Sequence, residues 1–159
     1  MATEAMKDKI LKLLDQKKVN YKIVRHAAAP TCELSAEARG EPLKNGGKTL
    51  LFKGKKSFFI AVISAEKTVD SNRLRKIIKS QRLRFATDEE FQELTGVPKG
   101  ALPPLSSLFE FDFFVDTSIL NLERVAFNAG ELTTSIILST EDYLELIRAK
   151  YCHFSKNSE

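Results

Sequence analysis

The chain has 159 residues, of which 43% are hydrophobic and 29% charged, as expected for one globular domain. Its longest apolar runs are far shorter than the roughly 18 residues of a membrane-spanning helix, and residues 1–8 lack the apolar core of a secretion signal. Cys32 and Cys152 lie far apart and form no CxxC pair, which argues against a disulfide framework or a zinc site. We therefore expect no membrane partner and a reducing, cytoplasmic environment.

The net charge of +4 is unevenly distributed. The segment 71–87 contains no acidic residue and six basic ones: Arg73, Arg75, Lys76, Lys79, Arg82 and Arg84. A second cluster contains Lys53, Lys55 and Lys56. Such clusters are usually solvated faces, and otherwise they attract polyanions such as nucleic acid.

The first half of the chain alternates helices and strands. Thr3 is placed to cap a helix whose apolar positions are Met6, Ile10, Leu13 and Leu14. A strand is predicted over 21–25, and then a short helix over 33–39 that is capped by Thr31 and stopped by Gly40. Strands over 48–52 and 57–63 flank Gly54-Lys55-Lys56, which indicates a hairpin.

The second half continues this mixed order. A helix is predicted to start at Asp70 or Ser71, and a short strand to contain Leu83 and Phe85. Thr87 and Glu90 form a capping-box pattern for a helix that ends at Gly96. The remaining predicted elements are strands over 111–115, 124–127 and 133–138, a helix from Ser139 or Thr140 to about Lys150, and a disordered tail over 155–159. The order lacks regular βαβ repeats and GxGxxG, so it predicts an antiparallel or mixed β-core flanked by helices.

Three segments contain the candidate functional residues. In 96–105 (GVPKGALPPL), glycines permit close approach to a ligand and Pro103-Pro104 stiffen the loop, although such a segment is more often an ordinary turn. Lys48 begins an apolar strand, where it either reaches solvent or projects into a cleft as a phosphate-binding cation. Asn128 precedes Ala129-Gly130 and is either a turn residue or an amide that holds a polar substrate group.

Other kinds of chemistry have little support. His26 is one of two histidines and is more simply a hydrogen-bonded structural group, and Cys32 has no evident activating partner. The chain contains neither HExxH nor GxSxG, which argues against a metalloprotease or a triad hydrolase.

Together these segments resemble the YbaK/prolyl-tRNA synthetase-associated editing domains, which include the free-standing proteins YbaK, YeaK and EbsC. The matching motifs are 48–51 (KTLL), 94–96 (LTG) followed by 100–104 (GALPP), and 127–130 (FNAG) followed by Ser135-Ile136. The likeness extends from His26 through Thr31-Cys32 and 38–40 to the last helix, and its pattern is YeaK-like. Some relatives have a histidine-containing motif where this chain has Asn128, a difference that bears on which amino acid is accepted.

The resemblance implies an α/β (α+β) fold with a largely antiparallel, barrel-like sheet, as a single domain over residues 1–154. It implies metal-independent and cofactor-free hydrolysis, in trans, of a small amino acid such as Ala, Ser, Thr or Cys wrongly esterified to tRNA-Pro or a similar tRNA. An aminoacyl-tRNA synthetase is a further expected partner. Because the ester is already activated, a positioned water and main-chain donors can suffice, with help from the vicinal ribose hydroxyl.

The same resemblance assigns roles to individual residues. Lys48 would bind the phosphate or ribose of the terminal adenosine, while Gly100 and Ala101 would present backbone N–H groups to the scissile carbonyl. The expected substrate-binding residues are His26, Thr31, Cys32, Pro103, Asn128, Gly130 and Ser135. The expected tRNA-binding residues are Lys53, Lys55, Lys56, Arg73, Lys76 and Arg82. The alternatives are a non-catalytic module that binds tRNA or a synthetase, and a hydrolase of other small acyl esters.

Overall fold

The computed structural model describes residues 5–158. Its helices are α1 (Met6–Gln16), α2 (Cys32–Arg39), α3 (Ser71–Ile78), α4 (Asp88–Thr95), α5 (Thr117–Leu120) and α6 (Thr140–Leu146). Its strands are β1 (Tyr21–Arg25), β2 (Gly47–Lys53), β3 (Phe58–Ser64), β4 (Lys67–Val69), β5 (Arg84–Phe85), β6 (Asp112–Asp116), β7 (Arg124–Asn128), β8 (Thr134–Ser139), β9 (Lys150–Cys152) and β10 (Ser155–Asn157).

Most helix boundaries have the caps that the sequence predicts. The Thr31 hydroxyl accepts a hydrogen bond from the Leu34 N–H, and α2 ends at Gly40 in the left-handed conformation. Thr87 and Glu90 form the capping box of α4, and Asp70 caps α3. The predicted cap at Thr3 lies outside the described residues, and Ala5 occupies the N-cap position of α1.

The strands form three hydrogen-bonded sheets. One sheet has the order β1-β8-β7, a second has the order β5-β2-β3-β6-β9, and β10 pairs with β4. Pairing is antiparallel except for β3 with β6 and β6 with β9, so the mixed, largely antiparallel prediction is confirmed. A parallel bridge between Gly46 and Ala126 joins the first two sheets, but within residues 5–158 the strands do not close a continuous barrel.

Alternate residues of the five-stranded sheet face two separate cores. Leu51, Ile60 and Val62 point into the larger core, which also contains Phe127 and Ile136 of the three-stranded sheet. Phe52, Phe59, Ala61 and Ile63 point into a smaller core that Leu74 of α3 helps to cover. This alternation follows from the two-residue repeat of a β-strand, and it buries β3 on both faces.

The C-terminal region differs from the prediction. The last helix, α6, ends at Leu146 rather than near Lys150, because Lys150–Cys152 pairs in parallel with β6 as an edge strand. The segment 155–157 is not disordered: Ser155 pairs with Val69 and Asn157 with Lys67. The Asn157 side chain also accepts a hydrogen bond from the Lys67 ammonium at 2.6 Å. These polar pairings have no hydrophobic periodicity, so the sequence pattern does not reveal them.

Within the described residues, no helix is long and apolar enough to cross a membrane.

Candidate active site

A cavity of about 220 Å³ lies between α2, the start of β2 and the loop that contains Gly100. Its lining residues are Pro30, Thr31, Cys32, Ser35, Arg39, Gly46, Gly47, Lys48, Thr49, Leu50, Ala65, Gly100, Leu102, Phe127 and Asn128. Pockets for drug-sized ligands typically measure about 300–1,000 Å³, so this cavity suits a small group such as an aminoacyl moiety. The predicted site residues Thr31, Cys32, Lys48, Gly100 and Asn128 all meet here.

Helix α2 contributes one face to the cavity. Cys32, Ser35 and Arg39 follow the three-to-four-residue spacing of a helix, and all three line the cavity. Burial raises the pKa of the Cys32 thiol, and the nearby Lys48 charge only partly opposes this effect. The thiol is therefore protonated at neutral pH, which argues against Cys32 as a nucleophile.

Lys48 and Thr49 extend from the first residues of β2. The Lys48 ammonium donates a hydrogen bond to the Lys67 carbonyl at 2.7 Å, which fixes its position at the cavity. An ammonium has three donors, and the other two have no acceptor among the described residues. Thr49 Oγ1 is buried and also lacks a partner in the part of the chain that the structure describes. The Lys48 ammonium can therefore bind a substrate, whereas the Thr49 hydroxyl is a buried polar group that has no hydrogen bond within the described residues.

Arg39 also lines the cavity, although the sequence did not single it out as a candidate site residue. Its side chain is only 7% exposed, and burial lowers the pKa of its guanidinium to about 10, so it stays charged at neutral pH. Its Nε donates to Ser135 Oγ at 3.0 Å and its Nη2 donates to Asn128 Oδ1 at 2.9 Å. Both hydrogen-bond partners are neutral, and the nearby Glu41 carboxylate, which is itself paired with Arg124, opposes the effect of burial on the pKa of Arg39 only in part.

Asn128 forms hydrogen bonds to three residues that line the cavity. Its Nδ2 donates to Ser35 Oγ at 3.1 Å and to the Gly100 carbonyl at 2.9 Å, while its Oδ1 accepts from Arg39. Both amide N–H groups are thus engaged by the protein, which leaves no amide donor for a substrate. Asn128 fixes Arg39 and the Gly100 loop relative to each other, rather than holding a polar substrate group as the sequence suggested.

His26 and Ser135 do not line the cavity, but they are connected by hydrogen bonds to Arg39 and Asn128, which do. The His26 Nδ1 donates to the Ala27 carbonyl at 2.8 Å, and Nε2 lies 2.7 Å from Ser135 Oγ. The Ser135 hydroxyl has one proton, for which His26 Nε2 at 2.7 Å and Asn128 Oδ1 at 3.2 Å are the two acceptors within reach. Ser135 is fully buried and affects the cavity through Arg39 and Asn128.

The loop after α4 offers different backbone donors from those expected. The Ala101 N–H donates to the Pro98 carbonyl at 3.0 Å, so it is not available to a substrate. Gly100 and Leu102 line the cavity, and the N–H groups of both lack an acceptor within residues 5–158. The expected oxyanion donors are therefore Gly100 and Leu102 in place of Gly100 and Ala101.

Pro103 and Gly130 support this loop from outside the cavity lining. The Gly130 N–H donates to the Ala101 carbonyl at 3.0 Å. Gly130 has a φ of +78°, and an added Cβ would lie 2.7 Å from Met6 Cβ, so α1 packs where a side chain would have to fit. Pro103 is buried, and the neighbouring Pro104 carbonyl accepts a hydrogen bond from the Tyr143 hydroxyl at 2.6 Å.

Tertiary structure joins the two basic clusters. The Lys55 N–H donates to Ser80 Oγ, and Ser80 Oγ donates to the Arg82 carbonyl, so the β2–β3 turn lies against the segment after α3. We call this the basic surface; its residues are Lys53, Lys55, Lys56, Lys76, Lys79 and Arg82. Arg73 pairs with Asp70 near the start of α3, which offsets its charge. The basic surface lies toward the opposite end of β2 from Lys48.

Within residues 5–158, the ionisable side chains that line the cavity are Cys32, Arg39 and Lys48, so two cations and no carboxylate of this range face it. Such a lining suits an ester carbonyl or a phosphate. Among the described residues, no group of three or more His, Cys, Asp or Glu side chains is placed to hold a metal ion.

Comparison with known proteins decides the family. The aminoacyl-tRNA editing domain family matches residues 26–146, which contain the whole cavity lining. The chain belongs to this family. The Ser/Thr-tRNA deacylase ProXp-y of Escherichia coli K12, described as multifunctional, is 32% identical in an alignment of 155 residues that covers 94% of this chain and 93% of that protein.

Two further similarities fit the aminoacyl-tRNA editing family. A proline–tRNA ligase of Fervidobacterium nodosum is 31% identical over 75 residues, which are 47% of this chain and 13% of the ligase. A crystal structure described as a candidate trans-editing enzyme for prolyl-tRNA synthetase superposes with a TM-score of 0.84 at 22% identity. The superposition covers 98% of this chain and all of that one, and it establishes the shared fold.

Proposed function

We propose that this protein is a trans-editing aminoacyl-tRNA deacylase that hydrolyses the ester of a small amino acid wrongly attached to tRNA. The observation that carries the proposal is the cavity of about 220 Å³, which two cations and the Gly100 loop enclose. Family membership and the deacylase name of the Escherichia coli relative support it. The expected setting is cytoplasmic, where mischarged tRNA occurs.

The residues that line the cavity have separate roles in this proposal. Lys48 binds the phosphate or ribose of the terminal adenosine as a point charge. The N–H groups of Gly100 and Leu102, with Arg39, stabilise the oxyanion that forms when water attacks the ester carbonyl. An aminoacyl ester is already activated, so its hydrolysis requires only a modest rate enhancement. Positioning of the substrate in the cavity and electrostatic stabilisation of the transition state supply that enhancement. The small volume favours Ala, Ser, Thr or Cys over larger side chains.

The prolyl system is the first substrate to test, because part of the chain resembles a proline–tRNA ligase. A panel of tRNA-Pro charged with Ala, Ser, Thr or Cys, together with Ser- and Thr-charged noncognate tRNAs and correctly paired controls, should reveal rapid release of at least one noncognate amino acid. A synthetase that supplies the mischarged tRNA is the expected protein partner.

Lys48→Ala should lower kcat/KM on that substrate by about 10- to 100-fold, the effect of losing one hydrogen bond from a charged group. Lys44→Ala is the matched control, since Lys44 is exposed and does not line the cavity. Release by Lys48→Ala at the wild-type rate would contradict the role of Lys48. Binding of tRNA without any hydrolysis would favour a binding module, and equal hydrolysis of simple acyl esters would favour a general esterase.

A further inference from the structure

Phe85 is an exposed aromatic ring on a rigid support. Its side chain is 60% exposed, although phenylalanine is ordinarily buried. One face of the ring stacks on Phe52, with centroids 4.5 Å apart and an interplanar angle of 24°. Phe52 stacks in turn on Phe59, and Phe59 contacts Phe114 edge-on. This row of rings crosses four neighbouring strands, so Phe85 is held in place while its other face meets solvent.

Phe85 lies on the same face of the sheet as the cavity residue Lys48. Lys48, Leu50 and Phe52 alternate along β2 and therefore share one face, and Phe85 is the cross-strand partner of Phe52. Lys48 and Leu50 both line the cavity. At the usual strand rise, Lys48 and Phe52 are about 13 Å apart. Phe52 itself is buried in the smaller core, so a bound strand has to follow the edge of the sheet, where β5 lies, rather than cross its face. A few nucleotides of extended single strand can span that separation.

The surroundings of Phe85 are basic. Lys53 and Arg82 of the basic surface border a cavity of about 500 Å³ together with Arg84 next to Phe85. Arg84 is paired with Glu90 of α4 through two hydrogen bonds, and Lys99 with Asp88, so both of these charges are offset. Helix α4 also contains the exposed Glu89 and Glu93. The positive charge that remains at this cavity therefore belongs to Lys53, Lys55 and Arg82. An exposed ring beside cations is the arrangement that proteins use to bind single-stranded nucleic acid, because every base has a stacking face.

We propose that Phe85 stacks on an unpaired base of the tRNA 3′ strand while the terminal adenosine is held at Lys48. This inference rests on the proposed function, since it assumes that aminoacyl-tRNA is the substrate. The basic surface then contacts phosphates further along the same strand and the acceptor stem. Stacking of this kind adds affinity for tRNA and does not select a particular base.

Two substrates distinguish an effect on base stacking from an effect on ester hydrolysis. Mischarged tRNA can reach both the cavity and Phe85, whereas a 3′-aminoacyl-adenosine bearing the same amino acid reaches only the cavity. Phe85→Ala should lower kcat/KM on the tRNA about 5- to 150-fold, mainly through KM, the loss that follows removal of one base-stacking ring. The same variant should hydrolyse the aminoacyl-adenosine at the wild-type rate.

Two further variants test the ring itself. Phe85→Trp keeps a stacking face and should retain activity on tRNA, whereas Phe85→Leu keeps the apolar character without the ring and should behave like Phe85→Ala. Wild-type activity of Phe85→Leu on tRNA would overturn the proposal, as would an equal loss on both substrates. Unchanged tRNA activity of Phe85→Ala with lost binding to prolyl-tRNA synthetase would also overturn it, in favour of a protein contact. Failure of the wild type on both substrates would instead contradict the proposed function.

Discussion

At the scale of single residues, the unusual feature is a buried arginine whose partners are neutral. Burying a charge is costly unless hydrogen bonds compensate it, and Arg39 has such bonds to Ser135 and Asn128. The guanidinium fork fits these two acceptors at once and leaves its charge directed at the cavity lining. This role could not be predicted from the sequence, because an arginine at the end of a short helix normally faces solvent.

Arg39→Lys tests whether activity requires the two hydrogen bonds that the Arg39 guanidinium donates. Lysine keeps the charge but cannot reproduce the two-point geometry, so we expect kcat/KM on mischarged tRNA to fall at least about tenfold. We also expect a loss of about 1–3 kcal/mol in the free energy of unfolding, because a buried acceptor is left without a donor. Deacylation kinetics and urea unfolding measure the two effects.

Arg25→Lys is the matched control, since Arg25 is exposed at the end of β1. It should change neither quantity. If Arg39→Lys were as active as the wild type, charge alone would account for the contribution of Arg39.

At the scale of elements, the loop between α4 and β6 depends on the backbone conformation of two glycines. Gly96 ends α4 at a φ of +69°, and Gly100 lies in the cavity lining at a φ of +91°. An added Cβ at Gly96 meets no atom within 4 Å, whereas at Gly100 it would lie 3.2 Å from the Pro30 carbonyl oxygen and 3.3 Å from Leu132. The two positions therefore share the backbone strain but differ in steric contact.

Gly100→Ala and Gly96→Ala separate these effects. Both should lose about 1–3 kcal/mol of stability from forcing alanine into the left-handed region. Only Gly100→Ala should also lower kcat, because it displaces the loop relative to α2 and shifts the N–H donors of the loop. Urea unfolding and single-turnover deacylation provide the readouts. Equal activity of the two variants would show that the Gly100 loop does not position the reaction.

At the scale of the whole molecule, the C-terminal strand supports the cavity from a distance. β10 pairs with β4, and the Lys67 carbonyl of β4 accepts the hydrogen bond from Lys48. Just before β10, the Phe154 N–H donates to the buried Asp116 carboxylate at 2.7 Å, and Phe154 fills the smaller core. The end of the chain thus helps to position a residue that lies more than a hundred positions earlier.

Truncation after Phe154 should therefore affect both stability and activity. Loss of the β10 hydrogen bonds should cost about 1–3 kcal/mol, at roughly 0.5–1.5 kcal/mol for each bond, and lower Tm by several degrees. The rate on mischarged tRNA should fall as Lys67 and Lys48 lose their fixed positions. Asn157→Ala removes only the side-chain bond to Lys67 and should change both quantities less. A truncated protein with wild-type Tm and rate would contradict this coupling.

The sequence by itself determined most local structure. Caps at Thr31, Asp70 and Thr87, and stops at Gly40 and Gly96, were predictable because capping depends on residues a few positions apart. The motifs around Lys48, Gly100 and Asn128 likewise identified the family and the segments that form the cavity.

Only the tertiary structure decided which residues of these segments line the cavity and which support it. It assigned Asn128 to an internal hydrogen-bond network, replaced Ala101 by Leu102 as a free donor, and brought Arg39 and Thr49 into the cavity. It also paired β9 and β10 and exposed Phe85 beside the basic surface. The physical reason is that burial and hydrogen-bond partners depend on residues far apart in the chain, for which local periodicity carries no signal.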